Sequence, residues 1–114
     1  MSAPRRGEAW LANFDPVEGH EQAGRRPALV LSVDAFNASP AGLVTVLPIT
    51  GTTRLQLPSR VEVRPPEGGL TKVSYVIGEQ TRTISTRRLV KPLGMVTPAT
   101  MARVESVVRM LLGL

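Results

Sequence analysis

The hydrophobic positions of this chain fall in short runs, and turn-forming Gly, Pro, Asp and Asn separate them. Short apolar runs with β-branched residues, bounded by such turns, are typical of strands rather than helices. The predicted strands are residues 8–14, 27–33, 43–50, 60–64, 73–77 and a short, broken one at 89–96; a bulge at Gly78 is expected in the fifth, with pairing resuming through 80–84. The pattern therefore predicts a mainly β or α+β domain.

The third run, 43–50, is apolar on both faces, which predicts a central strand. Pro48 has no backbone N–H and indicates an end, an edge or a bulge near that point. By contrast, residues 60–64 alternate between polar and apolar, which predicts one face in water.

Only the end of the chain has a convincing helical pattern. Thr97 suits the N-cap, Pro98 suits the first turn, and Gly113 suits the stop. An apolar stripe should pack on the sheet; it comprises Met101, Val104, Val107, Val108 and Leu111. A single helical turn at 34–38, capped by Asp34 or Ser32, is also expected. Five to seven strands and a C-terminal helix predict a small curled β-barrel.

The composition narrows the class of protein. A length of 114 residues suits a single domain, 1–114, and 42% hydrophobic residues is ordinary for a globular protein. The formal charge is +5, and twelve of the fourteen basic residues are Arg, which favours a polyanionic partner. With no Cys and one His, we expect no metal site, disulfide or cofactor. No membrane span or signal core is visible, so a soluble cytoplasmic protein is expected.

The first loop, 15–27, ends in Arg25 and Arg26 directly before an apolar run. Pro27 restricts Arg26 to an extended backbone, and a guanidinium held this way suits a phosphate. Further polar groups lie at other predicted strand ends or in this loop: Thr50, the Gln80–Arg82–Thr83 cluster, and Glu21 with Gln22. Because the strands belong to a curled sheet, these groups can converge on one face.

Several of these segments resemble the MazF/PemK family of toxin endoribonucleases. The matching motifs are GEAW at 7–10, GHEQAGRRPALVLS at 19–32, LPIT at 47–50 and EQTRTI at 79–84. They occur in order over residues 7–112, nearly the whole chain. The Glu-Gln-Ala-Gly-x-Arg-Pro block is the most specific of them.

The resemblance implies an SH3-like, CcdB/PemK-like twisted barrel that acts as a homodimer. It also implies sequence-specific, metal-independent cleavage of single-stranded mRNA by the RNA 2′-hydroxyl. The products would be a 2′,3′-cyclic phosphate and a 5′-hydroxyl end, and translation and growth would stop. The implied protein partner is a cognate, MazE-like antitoxin that occupies the RNA groove.

By motif position, the resemblance assigns catalysis to Arg26 and Thr50. An arginine is a permanent cation with five donors, which suits a charged phosphorane-like state. It is a poor base, however, so Glu21 and His20 are the candidates for proton transfer. The predicted RNA contacts are Gln22, Arg25, Thr52, Thr53, Gln80, Arg82, Thr83 and Arg87.

Two other functions remain open at this stage. One is a non-catalytic toxin of the same fold that binds DNA gyrase or another protein. The other is an SH3-like nucleic-acid-binding module without chemistry. Aromatic residues are only 4% of the chain. Trp10 and Phe14 are predicted to pack in the core or a dimer interface, which leaves Tyr75 and Phe36 as candidates for base stacking.

Overall fold

The computed structural model describes residues 2–15, 19, 24–52 and 57–114. The strands are β1 (Glu8–Asn13), β2 (Arg25–Val30), β3 (Leu43–Thr50), β4 (Arg60–Val63), β5 (Ser74–Ile77), β6 (Arg82–Ser85) and β7 (Leu89–Met95). The helices are α1 (Asp34–Asn37) and α2 (Pro98–Leu112), and 3₁₀ turns cover Glu67–Gly69 and Thr86–Arg88. The strands predicted from the hydrophobic pattern are present, with ends shifted by a few residues, but Gly78 begins a turn that separates β5 from β6 rather than a bulge within one strand. Among the described residues, no helix is long and apolar enough to span a membrane.

The central strand β3 organises the sheet, as its apolar faces predicted. In the described part of the chain the sheet has seven antiparallel strands, in the order β4-β5-β3-β2-β1-β7, with β6 also paired to β3. Leu43–Val46 pair with β6, whereas Ile49 and Thr50 pair with β5. Pro48 lies between these two segments, so the proline marks the point where β3 changes neighbour.

The connection between β6 and β7 forces the sheet to curl. These strands lie at opposite ends of the path β6-β3-β2-β1-β7, yet only the 3₁₀ turn Thr86–Arg88 joins them. The apolar side chains inside the curl form what we call the curled core. Its members are Trp10, Ala12, Phe14, Ala28, Val30, Val44, Val46, Ile84 and Leu89. Trp10 and Phe14 are thus core residues.

Helix α2 covers a second cluster, which we call the helix-covered core. It comprises Ala9, Leu29, Leu47, Ile49, Val61, Val63, Leu70, Val76, Val96, Val104 and Val108. Met101 and Val107 pack against it, as their place in the stripe predicted. The prediction was wrong for Leu111, which is 45% exposed, because the last turn of α2 runs past the buried cluster.

The ends of α2 follow the sequence signals. The Thr97 hydroxyl accepts a hydrogen bond from the Thr100 N–H at 3.2 Å, and Gly113 adopts a left-handed conformation with φ 70°. The predicted cap of α1 was wrong. Its N-cap is Val33, without a side-chain bond, because the Asp34 carboxylate instead accepts from the Arg6 backbone N–H at 2.7 Å.

The expected small barrel is confirmed as an α+β fold, but it is an open one. Among the described residues, no strand pairing joins β4 to β7. Instead the 3₁₀ turn Glu67–Gly69 packs its backbone directly on β7. A Cβ on Gly69 would lie well inside van der Waals contact of the Leu93 carbonyl, and one on Gly94 would lie 2.8 Å from the Gly69 nitrogen. Glycine at both positions permits this contact.

The same turn holds the start of α2. The Glu67 carboxylate accepts from the Thr97 N–H at 2.7 Å and from the Thr97 hydroxyl at 2.9 Å. Partial burial alone would raise the pKa of Glu67. The hydrogen bonds from Thr100 and Thr97, with the charge of Arg103, outweigh it and lower the pKa below its ordinary value.

Candidate active site at one end of the curled sheet

The register of β2 and β3 relates the two residues assigned to catalysis. Ala28 pairs with Pro48, and the described ladder ends there. Continued by two residues, the same antiparallel register places Arg26 opposite Thr50. Both then share the face of Ala28 and Val30, the face of the curled core.

Two further strands extend this line of side chains. Thr50 pairs with Tyr75 of β5, and Tyr75 pairs with Glu62 of β4. Arg26, Thr50, Tyr75 and Glu62 therefore follow one another on one face across four neighbouring strands, and we call them the site row. Directly opposite side chains in such pairs have Cβ atoms about 4.5–5.5 Å apart.

Arg26 is exposed at the start of β2, and its neighbour Arg25 is exposed too. Their strand partners differ, since Arg25 lies opposite Asn13 and Arg26 opposite Ala12. Successive residues of a strand point to opposite faces. Only Arg26 of the two thus lies on the face of the site row.

Thr50 ends β3 and is nearly buried, with 2% of its surface exposed. Its hydroxyl accepts a hydrogen bond from the Thr52 N–H at 3.3 Å. A threonine hydroxyl has one donor position and two acceptor positions. This bond uses an acceptor position and orients the hydroxyl where the chain leaves the sheet.

Hydrogen bonds tie together the two ends of the loop that leads to Arg26. The Phe14 N–H donates to the Gly24 carbonyl and the Gly24 N–H to the Asp15 carboxylate, each at 2.9 Å. The Arg88 guanidinium donates to the carbonyls of Asn13 and Asp15. Arg88 therefore anchors the end of β1, a structural role in the described contacts.

Several predicted site residues lie in segments outside the described residues: His20, Glu21, Gln22 and Thr53. Their roles stay predictions.

The Gln80–Arg82–Thr83 cluster is divided between the two faces of β6. Arg82 lies opposite Val46, and its guanidinium carbon is 5.1 Å from the centre of the Phe14 ring. The Thr83 hydroxyl lies 2.7 Å from that of Thr45 on the other face. Gln80 is half-buried in the turn before β6, and Arg87 is exposed in the 3₁₀ turn after it.

Glu79, in the EQTRTI motif, belongs to the framework under β4. Its carboxylate accepts from the Ser59 hydroxyl at 2.7 Å and from Arg60 Nε at 3.0 Å. Burial raises the pKa of Glu79, but the bonds from Arg60 and Ser59 outweigh burial and lower it overall. This carboxylate therefore stays charged and bound to β4.

Sequence reasoning missed two neighbours of Thr50. Tyr75 was considered only as a spare aromatic, and Lys72 was not considered at all. A Cβ on Gly51 would lie 2.6 Å from Lys72 Cε and 2.9 Å from its Nζ, so this ammonium lies over the residue that follows Thr50. No local motif marks either residue, because Tyr75 lies opposite Thr50 through the pairing of β3 with β5, and Lys72 lies against Gly51 from the segment just before β5.

Comparison with known proteins identifies the family. Residues 5–112 match the family of PemK-like, MazF-like toxins of type II toxin-antitoxin systems. The chain belongs to this family. Endoribonuclease MazF9 of Mycobacterium tuberculosis is 35% identical over 114 residues, covering 96% of this chain and 97% of the relative.

Solved structures of PemK/MazF-like toxins share the fold. A crystal structure of MazF from Deinococcus radiodurans matches with a TM-score of 0.88 and 33% identity, covering 100% of both chains. A mycobacterial endoribonuclease in complex with its cognate antitoxin matches with a TM-score of 0.77 and 29% identity, covering 100% of this chain and 97% of the other.

The site row of this PemK/MazF-like toxin combines three kinds of chemistry. It holds a permanent cation in Arg26, a fixed hydroxyl in Thr50 and an aromatic ring in Tyr75. A cation and a hydroxyl together can bind a phosphate oxygen, and the ring can contact a base.

Proposed function

We propose that this chain is an endoribonuclease toxin that cleaves single-stranded mRNA at a short sequence and so arrests translation and growth in the cytoplasm. The observation that carries this proposal is the register of β2 with β3, which, continued two residues beyond the pair Ala28 and Pro48, brings Arg26 opposite Thr50. Membership of the toxin family supports it, as does the endoribonuclease activity named for the M. tuberculosis relative.

In the proposed reaction the RNA supplies its own nucleophile. The 2′-oxygen attacks the adjacent phosphorus, a bond from phosphorus to O2′ forms, and the bond to the 5′-oxygen breaks. The 2′-hydroxyl loses a proton and the leaving 5′-oxygen gains one. The products are a 2′,3′-cyclic phosphate and a 5′-hydroxyl end, and no metal is required to generate the nucleophile.

The chain's groups have separate roles in this reaction. Arg26 stabilises the charge that develops on the phosphate oxygens, and the Thr50 hydroxyl orients a phosphate oxygen or the 2′-hydroxyl. Since arginine is a poor base, Glu21 or His20 transfers the protons from the first loop.

The path of the RNA follows the face of the site row. The RNA contacts that we propose from the sequence are Gln22, Thr52, Thr53, Gln80, Arg82 and Arg87, and Arg82 lies opposite Val46 on that face. Arg25 and Thr83 lie on the opposite face of their strands and contact more distant nucleotides.

The proposed protein partners are a second copy of the chain and a MazE-like antitoxin. The antitoxin complex of the mycobacterial endoribonuclease, which matches the full length of this chain, supports the latter. The antitoxin would compete with RNA for the face of the site row.

The test compares wild type with Arg26→Ala and with Arg25→Ala as the matched control from the other face. Each protein is incubated with cellular mRNA in EDTA, and the 5′ ends of the products are sequenced and tested for a free 5′-hydroxyl. We expect discrete cuts by wild type, loss of about 100- to 1000-fold in rate for Arg26→Ala, and a few-fold change for Arg25→Ala.

Intact RNA after incubation with folded wild type would overturn the proposal. Inhibition of gyrase supercoiling by that same inactive protein would instead support the gyrase-binding function. Equal rates for wild type and Arg26→Ala would remove Arg26 from catalysis.

A further inference from the structure

Tyr75 stands next to the proposed catalytic threonine without belonging to either core. It is the only tyrosine of the chain and is half-buried on β5. It lies between Thr50 on β3 and Glu62 on β4, directly opposite both. Within the described residues, neither the curled core nor the helix-covered core includes it.

Tyr75 is less buried than its neighbours on β5. Ile77, on the face of Tyr75, and Ser74 and Val76, on the other face, are all buried, and Val76 is part of the helix-covered core. The alternation of the strand turns Tyr75 to the opposite face, where Thr50 lies. The ring is therefore held on rigid strand backbone and keeps part of its surface exposed.

Distance and chemistry then limit what the ring can contact. A cross-strand pair places the Cβ atoms of Thr50 and Tyr75 about 5 Å apart. An RNA whose phosphate lies at Arg26 and Thr50 can place an adjacent base against this ring. Nucleic-acid bases stack on aromatic side chains whatever their sequence, and larger bases stack more strongly.

We propose that Tyr75 stacks on the base of a nucleotide flanking the scissile phosphate, and so determines part of the RNA affinity and sequence preference. This inference rests on the proposed endoribonuclease function.

Phe36, the other aromatic candidate from the sequence, provides a matched control because the fold places it away from the site row. It is an aromatic residue of α1 with 36% of its surface exposed. Helix α1 precedes the start of β3 at Leu43, whereas Thr50 is the other end of that strand, roughly 23 Å away by strand rise. Phe36→Leu therefore removes a partly exposed ring far from the site row.

The first measurement uses an RNA oligonucleotide that carries the mapped cut site with a 2′-deoxy nucleotide at the scissile position, so that it binds without being cleaved. We expect Tyr75→Leu to weaken its binding about 10- to 100-fold, the range found for lost base stacking. Tyr75→Phe keeps the ring and should remain within about threefold of wild type. Phe36→Leu should bind as wild type does.

The second measurement locates the stacked base. An abasic nucleotide is placed in turn at each position of the 2′-deoxy oligonucleotide, and each version is bound to wild type and to Tyr75→Leu. At the stacked position the difference between the two proteins should disappear, because there is no base left to stack. A merely structural effect of the substitution would give the same difference at every position.

A third readout depends on neither cleavage nor substitution. Because the chain has one tyrosine, 3-fluorotyrosine labelling gives a single fluorine NMR signal from position 75. That signal should shift on addition of the 2′-deoxy RNA and shift less with the abasic version. This signal tests stacking by Tyr75 even if thermal unfolding shows that Tyr75→Leu is not folded.

The outcomes separate this inference from the proposed function. Wild type that cleaves RNA, with Tyr75→Leu binding equally well and the fluorine signal unmoved, would overturn stacking by Tyr75 and leave the function standing. Wild type that neither binds nor cleaves RNA would overturn both.

Discussion

The polar side chains beside the two cores of this sheet differ in what they contact. Around the helix-covered core, carboxylates bind other parts of the chain: Glu67 binds Thr97, and Glu79 binds Ser59 and Arg60. At the end of the curled core, the site row presents an exposed arginine, a fixed hydroxyl and a half-buried ring. The carboxylates of the first region are bound within the chain. In the second region Arg26 is exposed and Tyr75 half-buried, while Thr50 between them is nearly buried and Glu62 accepts a hydrogen bond from Arg64.

The contrast also concerns the backbone. Gly69 and Gly94 let the turn before β5 touch β7 directly, and Gly78 lets β5 approach Ser59 and α2, where a Cβ would lie 2.5 Å from the Ser59 carbonyl. These close contacts leave no room for a side chain between the packed segments. A closely packed framework of this kind can position the site row on the neighbouring strands.

The largest effect is expected for Gly69→Ala, which tests whether the region around the helix-covered core serves only the stability of the fold. The new Cβ would press on the Leu93 carbonyl, and φ there is +67°. We expect a loss of about 3 kcal/mol in the free energy of unfolding, from the clash and the strained φ together. Gly113→Ala is the control, since φ is +70° but nothing lies within 4 Å, and it should cost only about 1 kcal/mol.

Urea unfolding measures both free energies, and cleavage of RNA is measured on the folded fraction. Gly69→Ala should leave the cleavage rate per folded molecule unchanged. A large fall in that rate would contradict the separation of the two regions.

The converse test is Thr50→Val, which keeps the shape of the side chain but removes its hydroxyl. We expect the cleavage rate to fall about 100-fold, equivalent to about 2.7 kcal/mol, with Thr50→Ser retaining most activity. Thr45→Val removes a hydroxyl from the opposite face of the same strand, where it contacts Thr83, and should leave the rate unchanged. Single-turnover cleavage rates measure both effects. An equal loss of rate in Thr45→Val and Thr50→Val would contradict the assignment of catalysis to Thr50.

A smaller effect is expected at the start of α2. Glu67→Gln removes the charged acceptor of Thr97 and should reduce stability at pH 7 by about 1 kcal/mol. The folded pKa of Glu67 is lowered, so its contribution is complete above the unfolded pKa, roughly 4.3, and is lost as the pH falls through the folded pKa. The difference in free energy of unfolding between wild type and Glu67→Gln, measured by urea unfolding, should therefore narrow below about pH 4. A difference that widened there would contradict a contribution from the charged Glu67 carboxylate.

The smallest expected effect concerns the two lysines. Lys72 lies over Gly51, next to Thr50, whereas Lys91 lies on β7 opposite Leu11. If Lys72 meets an RNA phosphate, Lys72→Met should reduce the slope of log affinity against log salt by about 0.7, the value for one phosphate contact to a single strand. Lys91→Met is the control and should keep the wild-type slope; equal slopes for both variants would exclude the contact.

Much of the fold could be predicted from local patterns. Strand β3, the capped helix α2 and the turn at Gly113 follow from alternation and capping residues within a few positions. The placement of Arg82 and Thr83 on opposite faces also follows from the period of two. The exposure of Leu111 could not be predicted from the local pattern, because the apolar stripe alone does not show where the underlying sheet ends.

The amino-acid sequence by itself determined the elements, the family motifs and the assignment of Arg26 and Thr50, because each depends on residues close together in the chain. Tertiary structure decided which residues surround them. Tyr75 lies opposite Thr50 through the register of β3 with β5, Glu62 lies opposite Tyr75 through the register of β5 with β4, and Lys72 lies against Gly51. The register between segments distant in sequence depends on which of their faces are buried together, and it is therefore fixed only in the folded sheet.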